Sequence, residues 1–281
     1  MPQTAPQAPL DVASRSPSAR ARWLRGAALA LALAAAPAAA YLPPATAILK
    51  RVAQRRDDVG AAALQVGGTL TFSGEAARGA AASGIAATPG AATGADLTVP
   101  ATLFVKTPGR CRLELSPAGA PTTAADRPAA SLRGGRLSGR RGLEALPAVA
   151  ALVEGVCALI GEKGAGGSEP ERAFAQALAA RGVALTDVAL GRMGGRVAWV
   201  IGGRPQDARP QAWIDKQAFQ PLRLIARFGD ATRDVRLLDF GSPVGGDRFP
   251  RAVEIWDGTQ LEARFTAERV LANPKLPDAI F

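Results

Sequence analysis

The chain has 281 residues, 48% of them hydrophobic and only 5% aromatic, which is enough apolar material for one β-rich domain or two small ones. Its formal net charge is +10, but the basic residues are interleaved with carboxylates and form no dense run with aromatic neighbours, which argues against binding to nucleic acid. The sequence contains no histidine, and this excludes Ser-His-Asp and Cys-His nucleophiles and HExxH zinc sites.

The N-terminal segment has the organisation of a secretory signal peptide. Residues 20–25 (RARWLR) are basic, residues 26–36 are apolar, and the small residues at 38–40 supply a cleavage site. The apolar run is shorter than the roughly 20 residues of a membrane-spanning helix, and an uncleaved anchor is the alternative. We expect cleavage near Ala40, which removes residues 1–40 and leaves a soluble periplasmic protein.

The first part of the mature chain is predicted to form a helix followed by strands. Apolar residues recur at helical spacing over residues 45–57, and alternating apolar and polar residues predict a strand over 64–72. Residues 73–96 are almost entirely Ala, Gly, Ser and Thr and lack large apolar side chains, which predicts a flexible insertion. Two further strands are predicted over 97–105 and 111–115.

The middle of the chain is predicted to be irregular and then helical. Residues 117–139 are rich in turn formers. Residues 147–161 are the most apolar stretch of the mature chain, and a helix that is apolar nearly all round must be buried. A second helix is predicted to begin at Ser168, where Glu171 completes a capping box, and to end at Gly182.

From residue 183 onward the pattern is that of an all-β chain. Over the whole mature chain, eight or more short strands separated by turns predict an antiparallel sheet or barrel with one solvated face. The predicted class is therefore mainly β with helices (α+β). The predicted strands of this part, with a glycine-rich hairpin turn at 191–195, lie at residues 188–190, 197–201, 212–215, 222–228, 235–240, 251–256 and 261–267.

The two cysteines fall on apolar faces of predicted elements. Cys111 shares a strand face with Leu113 and Leu115, and Cys157 lies on an apolar side of the predicted buried helix. In an oxidising periplasm the two can form a disulfide, which would attach that helix to the sheet. The alternative is two buried thiols, because free cysteine packs as a small hydrophobic residue.

Three short motifs stand out: Val105-Lys106-Thr107-Pro108, then Trp213-Ile214-Asp215-Lys216 with Pro221-Leu222-Arg223, and the closing residues 273–281 (NPKLPDAIF). With the order of the elements, they resemble the outer-membrane lipoprotein-sorting (LolA-like) periplasmic carriers over most of residues 41–281. The resemblance implies one domain, an antiparallel unclosed β-barrel with helices on its concave face. Thr107 departs from the family pattern, because the best-known carriers have at this position an arginine that serves the handover of cargo.

The resemblance also implies an apolar concavity that shelters acyl chains beneath a movable helix, because exposing such chains to water costs about 0.8 kcal/mol per CH₂ group. The predicted wall residues, for each of which ordinary core packing is the alternative, are Leu70, Phe72, Leu103, Val105, Leu113, Leu115, Trp199, Trp213, Leu224, Ile255 and Phe265. The predicted lid, called the lid helix below, is the helix over residues 147–161. Its apolar residues are Val149, Leu152, Val153, Val156, Leu159 and Ile160.

The function implied by the resemblance is that of a periplasmic carrier, with no catalytic residues, cofactor or metal. The carrier would bind acyl chains of lipoproteins or lipids as a monomer, with an inner-membrane donor complex, an outer-membrane acceptor and transient membrane contact. The alternative is a regulatory module that senses lipoproteins or lipids and binds a membrane-protein partner. An enzyme is disfavoured because histidine is absent.

Overall fold

The computed structural model describes residues 42–85, 96–117, 127–162 and 171–281, and the predicted signal peptide lies outside them. The helices are α1 (Ala45–Val59), α2 (Gly74–Ala82), α3 (Pro147–Val156) and α4 (Glu171–Ala179). The strands are β1 (Ala63–Phe72), β2 (Leu97–Lys106), β3 (Arg110–Leu115), β4 (Ala129–Arg133), β5 (Arg136–Arg140), β6 (Val188–Met193), β7 (Arg196–Ile201), β8 (Gln211–Asp215), β9 (Pro221–Phe228), β10 (Ala231–Leu238), β11 (Ala252–Asp257) and β12 (Gln260–Ala272).

The strands form one antiparallel sheet in the order β5-β4-β3-β2-β1-β12-β11-β10-β9-β8-β7-β6. The edge strands β5 and β6 are not paired with each other, so the sheet is an unclosed barrel, as predicted. Strand β1 pairs with both β2 and β12, which places the last strand of the chain in the middle of the sheet. The register of β1 with β12 shifts at Gly68, where a Cβ atom would lie 2.0 Å from the carbonyl oxygen of Thr266, so this bulge requires glycine.

The helices pack together on one face of the sheet, called the concave face below, and share a single core with it. Helix α1 buries Ile48, Leu49 and Val52, the residues predicted from their helical spacing, and ends at Gly60 with φ of +67°. Helix α3 begins at Pro147 and continues as a π-helical turn over Cys157–Gly161, so the lid helix has two parts.

The opposite, convex face carries ion pairs between neighbouring strands. Arg223 and Asp234 of neighbouring strands lie 2.7 Å apart, and Arg264 and Glu254 lie 3.0 Å apart. This is the solvated face that the alternating strands predict. No described helix combines the length and apolar character needed to cross a membrane.

Two segments predicted to be irregular contain regular structure. The insertion predicted over 73–96 begins with helix α2, since alanine is the strongest helix former and Ala77 and Ala80 are small enough to be buried against the sheet. Residues 86–95 of it lie outside the described residues. The segment 117–139 contains the hairpin of β4 and β5, joined by Gly134 and Gly135, both with positive φ.

Smaller differences concern the boundaries of the later elements. Residues 191–193 belong to strand β6, so the hairpin turn contains only Gly194 and Gly195. Strand β10 begins four residues before the predicted Val235, because the turn that precedes it closes at Gly229. The predicted cap Ser168 lies outside the described residues, and the helix is described from Glu171.

Candidate functional site

Ten of the eleven predicted wall residues lie on the concave face and belong to the core that the sheet shares with the helices. Strand alternation explains this, because Leu70 and Phe72 of β1, or Leu103 and Val105 of β2, point to the same side of the sheet. The most exposed of the ten is Trp199, at 8%. The full set on this face is Leu70, Phe72, Leu103, Val105, Leu113, Leu115, Trp199, Leu224, Ile255 and Phe265.

The prediction for Trp213 is wrong, because this side chain lies on the convex face. Its neighbours in strand β8, Ala212 and Ile214, point to the helices, so Trp213 between them points away. It packs instead in a small separate cluster, and its Nε1 donates a hydrogen bond to Gln211 Oε1 at 3.0 Å. The guanidinium of Arg223 lies over its ring at 5.1 Å.

The lid helix packs directly onto the concave face. Its helical part contacts β3, β4, β9, β10 and β11, and its π turn contacts β2, β3 and β9. None of its six predicted apolar residues is more than 2% exposed. The side chains of the lid helix therefore fill the space that the predicted concavity would offer to an acyl chain, an arrangement called the closed state below.

Gly155 allows this close packing. A Cβ atom at this position would lie 2.8 Å from Val235 Cγ2 and 3.1 Å from Val235 Cγ1 of strand β10. Val235 is itself fully buried and branched at Cβ, so it cannot easily turn away. A glycine inside an apolar helical stretch is a sequence signal of such a close approach.

The C-terminal end of the lid helix is fastened to the sheet and to α1. Cys111 and Cys157 form a disulfide, with Cα atoms 5.7 Å apart, which is the first of the two alternatives considered for them. The backbone N–H of Gly109 donates to the carbonyl oxygen of Gly161 at 3.0 Å. These two links join the π turn to the beginning of β3 and the turn before it.

Arg56 adds a third link at this end, one that the local sequence pattern does not reveal. Its guanidinium donates to the carbonyl oxygen of Ile160 at 2.9 Å and to that of Arg248 at 3.2 Å. Burial lowers the pKa of Arg56 to about 10, while the neighbouring Asp57 acts in the opposite direction. Arg56 lies at the polar end of its helix in the sequence, and only the tertiary structure brings it to the carbonyl groups of the lid helix.

The position where the resemblance implies an arginine is occupied by Thr107, and its contacts are local. The hydroxyl of Thr107 donates to the carbonyl oxygen of Ala62 at 3.0 Å, as does its backbone N–H, also at 3.0 Å. Two guanidinium groups contact the lid helix, those of Arg56 from α1 and of Arg181.

A cavity of about 370 Å³ lies at the N-terminal end of the lid helix. The first residues of that helix, helix α2 and the wall residue Phe72 line it, so apolar surface of the wall begins there. Its rim is charged, since Arg233 forms two hydrogen bonds with Glu262, at 2.7 and 3.0 Å, and lies 3.3 Å from Asp257. No disulfide is formed at this end by the described residues.

The concave face and the lid helix bring apolar side chains together in one core. Across the described ranges, no three His, Cys, Asp or Glu side chains are grouped so that they could hold a metal ion. Glu154 of the lid helix forms an ion pair with Arg181, at 2.6 Å.

Comparisons with known proteins gave matches only among solved structures, because no protein-family model and no curated protein matches the chain. A LolA superfamily protein from Nitrosomonas europaea has a TM-score of 0.42 at 12% identity, over 85% of this chain and 98% of that one. A putative outer-membrane lipoprotein-sorting protein domain from Vibrio parahaemolyticus has a TM-score of 0.39 at 10% identity, over 82% and 94%. A DUF1329 family protein from Desulfovibrio piger has a TM-score of 0.38 at 10% identity, over 85% and 98%. The first two of these structures bear names of the family that the sequence motifs resemble.

Proposed function

We propose that the protein carries acyl chains of lipoproteins or lipids between its concave face and the lid helix, and delivers them towards the outer membrane. The observation that carries the proposal is a helix without exposed apolar residues that lies on an equally apolar wall and is covalently fastened at one end. An inner-membrane complex would load the protein, and an outer-membrane acceptor would unload it. The signal-peptide pattern and the disulfide support an oxidising compartment such as the periplasm.

The exchange between lid side chains and an acyl chain is close to balanced in free energy. Lifting the lid helix exposes its large apolar side chains, and the burial of each contributes about 2 kcal/mol. An acyl chain with about 16 carbons regains a comparable amount, because each buried CH₂ group contributes about 0.8 kcal/mol. A balanced exchange permits both loading and release, which a carrier needs.

The fastening of the lid helix sets the direction of opening. Its C-terminal turn is linked by the disulfide, by Gly109 and by Arg56, whereas the cavity of about 370 Å³ lies at its N-terminal end. We therefore expect the N-terminal end to lift while the C-terminal end acts as the hinge. Acyl chains would enter beside Phe72 and slide along the wall as the lid helix moves away.

The test is binding of a fluorescently labelled palmitoyl chain to the delipidated protein, together with mass spectrometry of organic extracts of the protein as purified. We compare Ile255→Asn, on the buried wall, with Leu271→Asn, which is the same kind of change at a side chain that is 42% exposed. The wall variant should bind the probe less tightly because an amide on the wall is desolvated by the acyl chain. The surface variant should bind like the wild-type protein.

Two results would contradict the proposal. The first is a wild-type protein that neither takes up the probe nor contains extractable lipid. The second is an Ile255→Asn variant that is folded, as judged by circular dichroism, and still binds the probe as tightly as Leu271→Asn does. Capture of a membrane-bound regulator by a lipid-free protein would favour the sensing module instead.

A further inference from the structure

A second cavity, of about 660 Å³, lies at the opposite end of the strands from the first. The β8–β9 turn, the beginning of β7 and Arg55 of α1 line it. We propose that this cavity binds the phosphate group of a phosphate ester. The proposal goes beyond acyl-chain carriage and does not depend on it, because no residue of the lid helix lines the cavity.

The charges of the cavity favour an anion. Its cationic side chains are Arg55, Arg196 and Lys216, and its carboxylates are those of Asp215 and Asp247. The two carboxylates are already engaged. Asp247 pairs with Arg55 and accepts a hydrogen bond from Gln220 at 3.1 Å, and Asp215 accepts the backbone N–H groups of residues 217 and 218 at 2.8 and 2.7 Å.

Arg196 and Lys216 retain hydrogen-bonding capacity for a ligand. The guanidinium of Arg196 lies 3.6 Å from Asp215, which is an ion pair but too long for a hydrogen bond. Within the described part of the chain, Lys216 has no carboxylate partner, and its ammonium lies over the ring of Trp199 at 5.2 Å. An arginine fork and a lysine point charge in one cavity are the donors that bind phosphate oxygens well.

The turn that carries Lys216 is held in a fixed shape. Besides the two backbone N–H groups that its carboxylate accepts, Asp215 accepts the N–H of Phe219 at its own carbonyl oxygen, at 3.0 Å. Phe219 has φ of +52°, a conformation that a bulky side chain rarely adopts and that is found mostly where surrounding contacts impose it. Lys216 is thus preorganised, so a ligand does not have to order the turn.

The cavity is larger than a free phosphate ion needs and is partly apolar. Val197, Ala218 and Phe240 line it together with the charged groups, and Phe240 also belongs to the core of the concave face. An organic group attached to the phosphate would contact these side chains. A phosphate ester should therefore bind more tightly than inorganic phosphate, whether the ester is a lipid headgroup or a water-soluble compound.

Calorimetric titration with inorganic phosphate and with glycerol 3-phosphate tests the soluble ligands, and flotation with phosphatidylglycerol or phosphatidylcholine vesicles tests the lipid headgroup. The double variant Arg196→Gln/Lys216→Gln removes both candidate donors. Its matched control is Arg136→Gln/Arg227→Gln, which removes the same charge from exposed strand positions outside the cavity.

We expect the cavity variant to bind the favoured ester about 100-fold more weakly, which corresponds to about tenfold for each lost charged donor, and the control to bind as the wild-type protein does. Tight glycerol 3-phosphate binding would identify a soluble ester as the source, and flotation with phosphatidylglycerol alone would identify a headgroup. The proposal is overturned if neither ester binds the wild-type protein, or if both double variants lose binding equally.

Discussion

Substituting Gly155 by alanine tests whether close packing of the lid helix keeps the concave face closed. The new Cβ atom would lie 2.8, 3.1 and 3.3 Å from three side-chain atoms of Val235, so the lid helix or strand β10 must shift. Overpacking of a buried site costs about 1–3 kcal/mol. Alanine returns up to about 1 kcal/mol through its higher helix propensity, which leaves a net cost to the closed state of about 1 kcal/mol.

The structure provides two controls for this substitution. In Gly79→Ala, within helix α2, the nearest atom to the new Cβ is Leu146 Cδ2 at 3.9 Å, an ordinary contact, so only the gain in helix propensity remains. The double variant Gly155→Ala/Val235→Ala removes the clashing methyl groups and should recover the closed state. Together the controls separate the clash from the general effect of replacing glycine in a helix.

Two rates are measured: the rate at which the protein takes up the labelled palmitoyl chain, and the rate of hydrogen exchange of the backbone amides of the lid helix. A destabilisation of about 1 kcal/mol should raise the open population, and with it the uptake rate and the exchange rate, roughly fivefold. Gly79→Ala and the double variant should both stay near the wild-type rates. The reasoning is refuted if Gly155→Ala shows wild-type exchange and uptake.

Three other changes test the fastening of the lid helix. Reduction of the disulfide, or the double substitution Cys111→Ser/Cys157→Ser, opens a loop of 46 residues. It should lower the free energy of unfolding, measured by urea titration, by about 4 kcal/mol, and it should accelerate uptake of the probe. Unchanged uptake would show that the hinge is elsewhere. Arg56→Met should lower the free energy of unfolding by about 2 kcal/mol, because the buried carbonyl group of Ile160 and the partly buried one of Arg248 lose their donor. A stability equal to that of the wild type would contradict this role. Burial raises the pKa of the Glu162 carboxyl above its usual 4.5, and the nearby charge of Arg181 acts in the opposite direction. The protonated carboxyl therefore stabilises the folded protein below pH 4.5, and this stabilisation is lost as the pH rises through the folded-state pKa. Glu162→Gln should therefore raise the melting temperature at neutral pH but not below pH 4.5, and an equal gain at both would argue against burial as the cause.

Much of the sheet could be predicted because its strands alternate strictly. Residues of β1 such as Leu70 and Phe72 and those of β2 such as Leu103 carry large apolar side chains at every second position, so both the strand and its buried face are readable. The hairpin of β4 and β5 was missed because polar and small residues dominate it. Its stability comes from pairing with β3, a non-local contact that local composition does not reveal.

The candidate site was predictable in its apolar parts and not in its polar links. The burial of the lid helix followed from its apolar composition. The face on which Trp213 lies depends on which alternate residues of β8 point to the helices, and a large apolar side chain such as tryptophan is expected on the buried face by default. Arg56 could not be identified, because its partners are carbonyl groups of residues 104 and 192 positions away. Asp215 and Lys216 belong to one of the three sequence motifs, but the motif does not reveal that they help to line a charged cavity, because the other lining residues come from distant parts of the chain.

The central position of β12 has a consequence for how the protein folds. This strand is the last in the chain, and it alone links the block β5-β4-β3-β2-β1 with the block β11-β10-β9-β8-β7-β6. The sheet can therefore be completed only after residue 272 has been synthesised, and the pairing of β1 with β12 closes a loop of almost two hundred residues. Contacts so distant in sequence slow folding, and until they form both blocks expose unpaired strand edges.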